Sequence, residues 1–537
     1  MKIKSLLIGM LACTALVGCS NEEEVLNGAQ AVAKGEKGYL PVNIKMPQTA
    51  RSRANVFEAG KGDEVAVNDA VFLFLDGNYQ GCANPFYVKD FSAGWEQAGG
   101  EGQDLEKTVL TIEGAKGGEV PAYVVAILNP TDYSAANYTA TTSLADLKAR
   151  FANHSGNGVN DTKFVMSNAA YHASNNKEMI ATPILLENIA KSQEDLKNVD
   201  PVTIQVERVV GKVQVTNLNN AIENLNAVGL TETIKDKEDM KLKFVLTGWE
   251  VLQNKQSSLI KNVNATGWTI ENWNDVNLKR SYWANDYTVE GRTSYDVTAM
   301  RNTEYKYVEE TVNQTPLAAS VIDNANPYLL VAGKFVDVAT NNPVNLVEWR
   351  GHKYTAEGYL NFMAGSADLS QYWVKSGDTY TSFSSDLLEL VDADAEDATD
   401  WRAIAQLKNA DTEFYTVTYK ADGVTFDRAT KVEDTKEVID VIAKFGAVQY
   451  WNGGNTYYFV PIKHQTADET TNYYGVVRNH WYKVNISKIQ GYGTPVSDPE
   501  ELVDVPEIPE DEETWLQADI VILDWKVVVN DDVVLGQ

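Results

Sequence analysis

The sequence predicts an all-β fold with two β-sandwich domains and a few short helices. Its apolar segments are short, rich in Val, Ile, Tyr and Phe, and bounded by Asp, Asn, Gly or Pro, which is typical of antiparallel strands. The chain has 537 residues, too many for one ordinary core. Because a domain usually holds about 100 to 200 residues, and β-domains are often larger, we expect two domains.

The composition excludes some classes of partner. The formal net charge is −29, with 75 acidic residues against 46 basic ones. A chain with this charge repels nucleic acids and anionic membranes, so we expect neither as a partner. The cysteines are Cys13, Cys19 and Cys82. Since the first two lie in a leader, the mature body cannot form an internal disulfide.

Residues 1–19 predict a lipoprotein signal peptide. Lys2 and Lys4 precede an apolar run that ends in Leu-Val-Gly-Cys19, the arrangement of a bacterial lipobox. A membrane-spanning anchor is the alternative, but the run is shorter than the roughly 20 residues that cross a bilayer. We therefore expect acylation at Cys19 and a lipid-anchored precursor.

Residues 20–53 predict an arm that consists of a strand and a cleavable loop. One face of the strand carries apolar side chains at alternating positions: Leu40, Val42, Ile44 and Met46. Pro41 predicts that this strand lies at a sheet edge or that a strand starts there. Arg51 and Arg53 follow among small polar residues, a composition typical of loops that proteases reach. An ordinary surface loop is the alternative, and the position before the folded body favours a cleavage site.

Residues 54–216 are expected to form the N-terminal β-sandwich. Buried strands are predicted at residues 71–75, 123–128 and 202–215, because β-branched and aromatic residues dominate each run and turn residues follow the first two. A short helix is predicted over residues 143–151, with Ser143 as its N-cap, and it is expected to cover a sheet end.

Residues 217–494 are expected to form a larger C-terminal β-sandwich. Its strands are predicted at residues 241–251, 328–338, 413–419, 448–451, 457–463 and 475–489. The Asn-Gly-Gly-Asn sequence at residues 452–455 predicts a hairpin between two of these strands. A helix is predicted over residues 435–445, with four side chains expected to be buried: Val438, Ile439, Ile442 and Phe445.

Residues 495–518 predict an extended linker, because four prolines lie there among many acidic residues. The segment 519–537 that follows predicts a strand with one apolar face, formed by Val521, Leu523, Trp525, Val527 and Val529. Two explanations fit a strand on such a tether. It completes a sheet of its own chain, or it is donated to a neighbouring molecule.

The search for catalytic and binding chemistry is mostly negative. The five histidines have neither the spacing nor the Cys partners of a zinc site, and no nucleophile elbow, phosphate loop or dinucleotide fingerprint is present. We therefore predict no enzyme activity, no metal site and no cofactor. The 26 Tyr and 12 Trp residues can stack on sugars, but such residues are also common in strands.

The two chain ends resemble the fimbrillins of Bacteroidales type V pili, most of all the major subunit of minor (Mfa-type) fimbriae. The segments that carry the resemblance are the lipobox at Cys19, residues 42–51, residues 482–489, the acidic proline-rich linker and residues 519–525. The resemblance implies two transthyretin-like β-sandwiches and a lipoprotein precursor in the outer membrane. It also implies that an Arg-specific protease removes the N-terminal strand, and that the C-terminal segment of another subunit fills the vacated groove.

The cleavage site departs from the family pattern in one respect. Arg51 has the Pro-Gln-x-x-Arg spacing of the family, whereas Arg53 supplies the Arg-Ala bond, so either arginine fits as the cleavage site.

We therefore expect a structural subunit of a cell-surface fimbria that supports adhesion. The expected partners are copies of the chain in a filament, accessory anchor and tip fimbrillins, an Arg-specific protease, and ligands on host or bacterial surfaces. The alternative is a monomeric surface glycan-binding lipoprotein. Such a protein shares the leader, the acidity and the β-sandwiches, but it needs neither the arginine arm nor the tethered strand.

Overall fold

The computed structural model describes most of the predicted body and parts of both ends. The described residues are 38–45, 64–89, 104–115, 120–131, 134–152, 164–169, 171–172, 178–216, 233–252, 255–264, 283–284, 287–288, 294–301, 303–312, 328–393, 402–423, 425–464, 473–489, 491–498, 503–504, 516–517 and 526–535.

Strands dominate this part of the chain. Those of the first half are β1 Gly38–Lys45, β2 Ala70–Leu75, β3 Phe86–Val88, β4 Asp104–Ile112, β5 Tyr123–Leu128, β6 Met166–Asn168, β7 Tyr171–His172, β8 Glu178–Met179, β9 Thr182–Pro183, β10 Val202–Arg208, β11 Val210–Thr216, β12 Leu242–Leu252, β13 Lys255–Gln256 and β14 Val263–Asn264.

The strands of the second half are β15 Trp283–Ala284, β16 Tyr287–Thr288, β17 Ser294–Tyr295, β18 Lys306–Glu309, β19 Thr311–Val312, β20 Tyr328–Asp337, β21 Leu346–Trp349, β22 His352–Thr355, β23 Tyr372–Ser376, β24 Thr379–Ser382, β25 Leu388–Asp392, β26 Arg402–Leu407, β27 Phe414–Tyr419, β28 Phe426–Lys431, β29 Val448–Trp451, β30 Asn455–Pro461, β31 Lys463–His464, β32 Tyr473–Val476, β33 His480–Ile489, β34 Thr494–Pro495, β35 Val503–Asp504, β36 Leu516–Gln517 and β37 Lys526–Leu535.

Within the described residues there are three α-helices, α1 Leu144–Lys148, α2 Ala356–Ala364 and α3 Lys436–Ala443. Short 3₁₀ turns lie at Leu186–Asn188, Glu194–Asn198, Ser385–Leu387 and Asn452–Gly454. The predicted all-β fold class is confirmed.

The N-terminal sheet has eight strands in the order β3-β2-β5-β6-β10-β1-β4, with β9 beside β5. Strand β10 changes neighbour half-way, because Val202 to Gln205 pair with β1 whereas Val206 to Arg208 pair with β6. One apolar core joins the two parts of the sheet, since Leu40 and Ile204 belong to the same cluster as Phe72 and Val125. The helix α1 is held by a capping box in which Ser143 accepts from the Asp146 N–H at 3.1 Å.

At Val209, between β10 and β11, the chain leaves the N-terminal sheet and enters two further sheets. One sheet has the order β18-β11-β33-β37-β36 and the other has the order β12-β20-β30-β34. Val213 and Tyr482 of the first sheet share a core with Phe244 and Val331 of the second, so the two sheets form a sandwich. Strand β11 thus pairs within this sandwich, although the predicted boundary between the two domains, after residue 216, lies behind it. The division into domains stays a prediction.

Residues 346–451 form a separate lobe with its own apolar core. It contains a sheet of order β22-β21-β29-β26-β25, a sheet of order β24-β23-β27-β28, and the helices α2 and α3. The prediction that α3 buries Ile439 is wrong, because this side chain is 42% exposed and Val441 is buried instead. Successive side chains lie 100° apart on a helix, and α3 presents Val438, Val441 and Ile442 to the lobe core.

The predicted hairpin at residues 452–455 is wrong. Strand β29 before it belongs to the lobe, whereas β30 after it belongs to the sandwich, so the turn connects two sheets. Gly454 has φ +70°, and a Cβ there would lie 2.3 Å from the carbonyl oxygen of Phe335. The two glycines therefore permit a tight passage between packed layers rather than a hairpin.

Candidate functional site

The predicted removable strand, β1, lies inside the N-terminal sheet. It runs parallel to β10, with Val42 opposite Val202, and antiparallel to β4, with Leu40 opposite Leu110. Leu40 is 0% exposed and Val42 is 1% exposed. Ile44 lies in the strand, but its side chain is outside the described part, and Met46 is outside it altogether. Alternating apolar residues let the strand bury one face in the core.

The prediction that Pro41 confines this strand to a sheet edge or marks a strand start is wrong. Pro41 is the fourth residue of a strand that has neighbours on both sides. Proline lacks an N–H group, so it cannot donate to a ladder. The sheet tolerates it because the parallel ladder with β10 begins only at Val42, one residue later.

Strand β4 is held by the apolar core as well as by its pairing with β1, because Leu110 and Ile112 are buried there. In the described part of the chain, β1 is the sheet neighbour of β4, which is the last strand in the order. Removal of β1 therefore leaves an open position with hydrogen-bonding strands on both sides. Such a position is a template for another strand, as exposed sheet edges are.

Glu64, the first described residue after β1, is held by three side chains. Its carboxylate accepts from the Lys212 ammonium at 2.7 Å and from the Tyr307 hydroxyl at 2.5 Å, and its carbonyl accepts from Arg208 Nε at 2.6 Å. Burial, together with the hydrogen bond to Glu64, raises the pKa of Tyr307, which therefore stays a neutral donor. Cleavage at Arg51 or Arg53 would leave this anchor in place, although both arginines and Cys19 lie outside the described residues.

The C-terminal strand β37 pairs with its own chain. It runs parallel to β33, with Val529 opposite Lys483, and it meets the two-residue strand β36 on its other side. This is the arrangement of a strand that completes its own sheet. Of the predicted donor residues, Val527 and Val529 lie in β37, whereas Val521, Leu523 and Trp525 lie outside the described part. Donation to a neighbour stays a prediction.

The strand also extends further than the alternating pattern predicts. It ends at Leu535, because Asp531 and Asp532 interrupt the alternation without ending the pairing. The register shifts there, with Asn530 opposite Val484 and Val533 opposite Ile486. A bulge at the two aspartates therefore lets the pairing continue beyond them. The apolar residues Val533 and Leu535, which lie opposite Ile486 and Ile489, are the sequence signal for the longer strand.

A buried ion pair lies at the start of β33 and was not predicted. Arg478 Nε donates to Glu310 Oε2 at 2.6 Å, and Lys261 Nζ lies 3.4 Å from Glu310 Oε1. The guanidinium also donates to the carbonyl of Ser258 at 2.7 Å. Burial raises the pKa of Glu310, but the charges of Arg478 and Lys261 outweigh it and hold the pKa below its usual value. In the sequence, the one indication of this cluster is Arg478, a charged residue that directly follows the apolar Val476 and Val477.

Within the described ranges, no three His, Cys, Asp or Glu side chains lie close enough together to hold a metal ion. Among the same residues, no helix is long and apolar enough to cross a membrane.

The region that contains β30, β33 and most of β37 identifies the family. Residues 449–531 match the family described as "Major fimbrial subunit protein type IV, Fimbrillin, C-terminal". The C-terminal part of this chain is a fimbrillin region. The resemblance to fimbrillins that the chain ends indicate is thereby confirmed for this region, which supports a fimbrial subunit role for the chain.

Two solved fimbrial structures are similar to parts of this chain. A fimbrial assembly protein from Parabacteroides distasonis ATCC 8503 is 11% identical, with 57% of this chain and 88% of that chain covered and a TM-score of 0.29. The tip fimbrial protein Mfa3 from Porphyromonas gingivalis, truncated at its C-terminus, is 12% identical, with 59% and 83% covered and a TM-score of 0.26. No curated protein matches the sequence. At these scores the structures add nothing to the assignment, which comes from residues 449–531.

Proposed function

We propose that this fimbrillin polymerises by strand exchange. It is exported as a lipoprotein acylated at Cys19, held in the outer membrane, and activated when an Arg-specific protease cuts after Arg51 or Arg53. Loss of the arm removes β1. The segment 519–537 of another copy then fills the open position, and the chain acts as a structural element of the fimbria rather than as an enzyme. Accessory anchor and tip fimbrillins of the same filament are further partners.

The interior position of β1 is the observation that supports this proposal most. A strand that lies between β10 and β4 leaves, on removal, a position whose two walls are already ordered. Binding there costs less conformational entropy than building a new edge, because only the incoming strand must become ordered. An open position of this kind would also attract unwanted strands, so a precursor that keeps it filled until cleavage avoids aggregation.

The connection between arm and body also supports removal by cleavage. Because Glu64 is held by Lys212, Tyr307 and Arg208, the body keeps its start after the cut. Strand β1 then remains only through its sheet pairing and its apolar contacts, and a competing strand can replace it.

The pairing of β37 with β33 supports the alternative, a monomeric surface glycan-binding lipoprotein, because a strand committed to its own sheet is not available for donation. In our proposal β37 leaves this position during assembly. Release is favoured by its weak second side, where, among the described residues, Leu516 and Gln517 pair with it.

Digestion of the purified precursor with an Arg-specific protease tests the proposal. N-terminal sequencing of the product should give Ser52 or Ala54 as the first residue, and electron microscopy should show filaments only after the cut. A cleaved chain that stays monomeric at every concentration would contradict polymerisation and favour the alternative.

A further inference from the structure

The sheet β24-β23-β27-β28 carries an aromatic outer face on the lobe formed by residues 346–451. Its register places Trp373 directly opposite Tyr415, and Tyr419 opposite Phe426. The other face includes Tyr372 and Phe414, which are buried in the lobe core. Because side chains alternate along a strand, the outer face, which we call the aromatic face, carries Trp373, Tyr380, Tyr415, Tyr419 and Phe426.

The rings of the aromatic face hold one another in place while staying accessible. Tyr380 stacks on Phe426, with ring centroids 5.5 Å apart and an interplanar angle of 19°, and meets the edge of Tyr415 at 5.2 Å. Trp373 and Tyr419 meet edge to face at 6.4 Å. Tyr419 and Phe426 are nevertheless each 45% exposed. A ligand would therefore meet rings whose orientation is already set, at a small cost in side-chain entropy.

Polar groups lie between these rings. Glu413 accepts hydrogen bonds from the Tyr415 hydroxyl, at 3.1 Å, and from the Lys431 ammonium. Lys375 lies opposite Tyr380 on the neighbouring strand. The face therefore combines apolar ring surfaces with donors and an acceptor at fixed places, which suits a ligand with apolar C–H patches and many hydroxyl groups.

The size of the face and the net charge of the chain limit the kinds of partner that can bind there. Four strands about 4.8 Å apart, each about five residues long at roughly 3.3 Å per residue, give an area of about 300 Å². A standard protein interface buries about 800 Å² on each partner, so a second copy of the chain would need far more surface. The net charge of −29 also repels any anionic polymer. An uncharged sugar chain fits both limits.

We infer that the aromatic face is a binding site for uncharged polysaccharide, with sugar rings stacked on Tyr419 and Phe426 and their hydroxyls bonded to the Glu413 and Lys431 groups. The inference names a ligand class for the adhesion expected of the fimbria and does not depend on strand exchange, since the face lies on another lobe from β1.

Calorimetric titration of the full-length, uncleaved chain tests the inference. The probes are maltohexaose, cellohexaose, mannohexaose and xylohexaose. At least one should bind, and the variant Tyr419→Ala with Phe426→Ala should bind it about tenfold more weakly, because two of the ring surfaces on which the sugar stacks are lost. Phe362→Ala is the matched control, because Phe362 is also 45% exposed but lies on α2, outside the face. It should bind as the unaltered chain does.

Three results would overturn the inference. They are no heat from any probe at millimolar concentration, equal affinity of the double variant and the unaltered chain, or loss of self-association rather than of sugar binding in the double variant. Tyr419→Ala alone serves if the double variant melts early. Because the chain is uncleaved, failure to bind sugar leaves polymerisation open, and failure to polymerise leaves sugar binding open.

Discussion

The two terminal strands of this chain differ in how they are held. The N-terminal strand β1 pairs with β4 along its length and with β10 over its second half, and its side chains Leu40 and Val42 are buried. In the described part of the chain, the C-terminal strand β37 has a full-length neighbour, β33, on one side and two paired residues on the other. A strand bound on both sides needs a covalent cut and a competitor to leave, whereas a strand bound on one side exchanges more readily. The contrast fits an acceptor position and a donor.

The double variant Arg51→Ala with Arg53→Ala tests the covalent side of this contrast and should have the largest effect. Without a cut the arm keeps β1 next to its own position, so no filaments should form and the precursor should stay full length. Gel electrophoresis and electron microscopy after protease treatment measure this outcome. The two single variants show which arginine is used, and normal filaments from the double variant would mean that the arm is only a surface loop.

Deletion of residues 519–537 tests the donor side. Filaments should be lost, while the melting temperature of the precursor should fall by only a few degrees. The stability remains because β33 keeps its other parallel neighbour, β11, and buries Tyr482, Val484 and Ile486 in the sandwich core. A collapse in melting temperature would instead show that β37 serves chiefly its own sheet.

Leu40→Ala tests the acceptor side through stability. Truncation of this fully buried side chain should lower the free energy of unfolding of the precursor by about 2 to 5 kcal/mol. Val109→Ala on the neighbouring strand β4 is the control, because Val109 is 37% exposed and should cost far less. Denaturant unfolding, followed for the N-terminal part of the precursor, measures the free energy of unfolding of both variants. Equal effects would mean that β1 contributes no more than a surface strand.

As the pH falls, the contacts that hold β33, the neighbour of β37, should weaken before the apolar contacts that hold β1. This change in stability should be the smallest of the predicted effects. Glu310 has a folded-state pKa below its usual 4.5, so its stabilising contribution is present above that value and is lost as the pH falls through the folded pKa. The carboxylate holds Arg478, two residues before the start of β33, whereas the contacts of Leu40 and Val42 are apolar.

Thermal melts from pH 7 down to pH 3.5 follow this loss. Glu310→Gln should remove that part of the pH dependence, and Glu413→Gln should leave it unchanged, because Glu413 is exposed and pairs only at the surface. If Glu310→Gln melts with the same pH profile as the unaltered chain, the ion pair does not support β33.

Local patterns were sufficient to predict the fold class, the capped helix α1 and the strand β1, because each depends on residues close together in the chain. They were insufficient at the 452–455 turn, where the same two glycines serve a hairpin or a passage between sheets. The choice depends on which sheets β29 and β30 join, and those partners are distant in sequence. Ile439 shows the same limit, since its exposure depends on the face that α3 turns to the lobe.

The sequence by itself determined that this is an acidic, β-rich chain with two apolar end strands and a pair of arginines behind the first, since alternation and composition are properties of the chain alone. Only the tertiary structure decided that β1 is interior despite Pro41, and that β37 rests on β33. It alone brought Arg478 to Glu310 across 168 positions and gathered five aromatic rings on one face. Each of these depends on contacts between distant segments, whose free energy no local pattern contains.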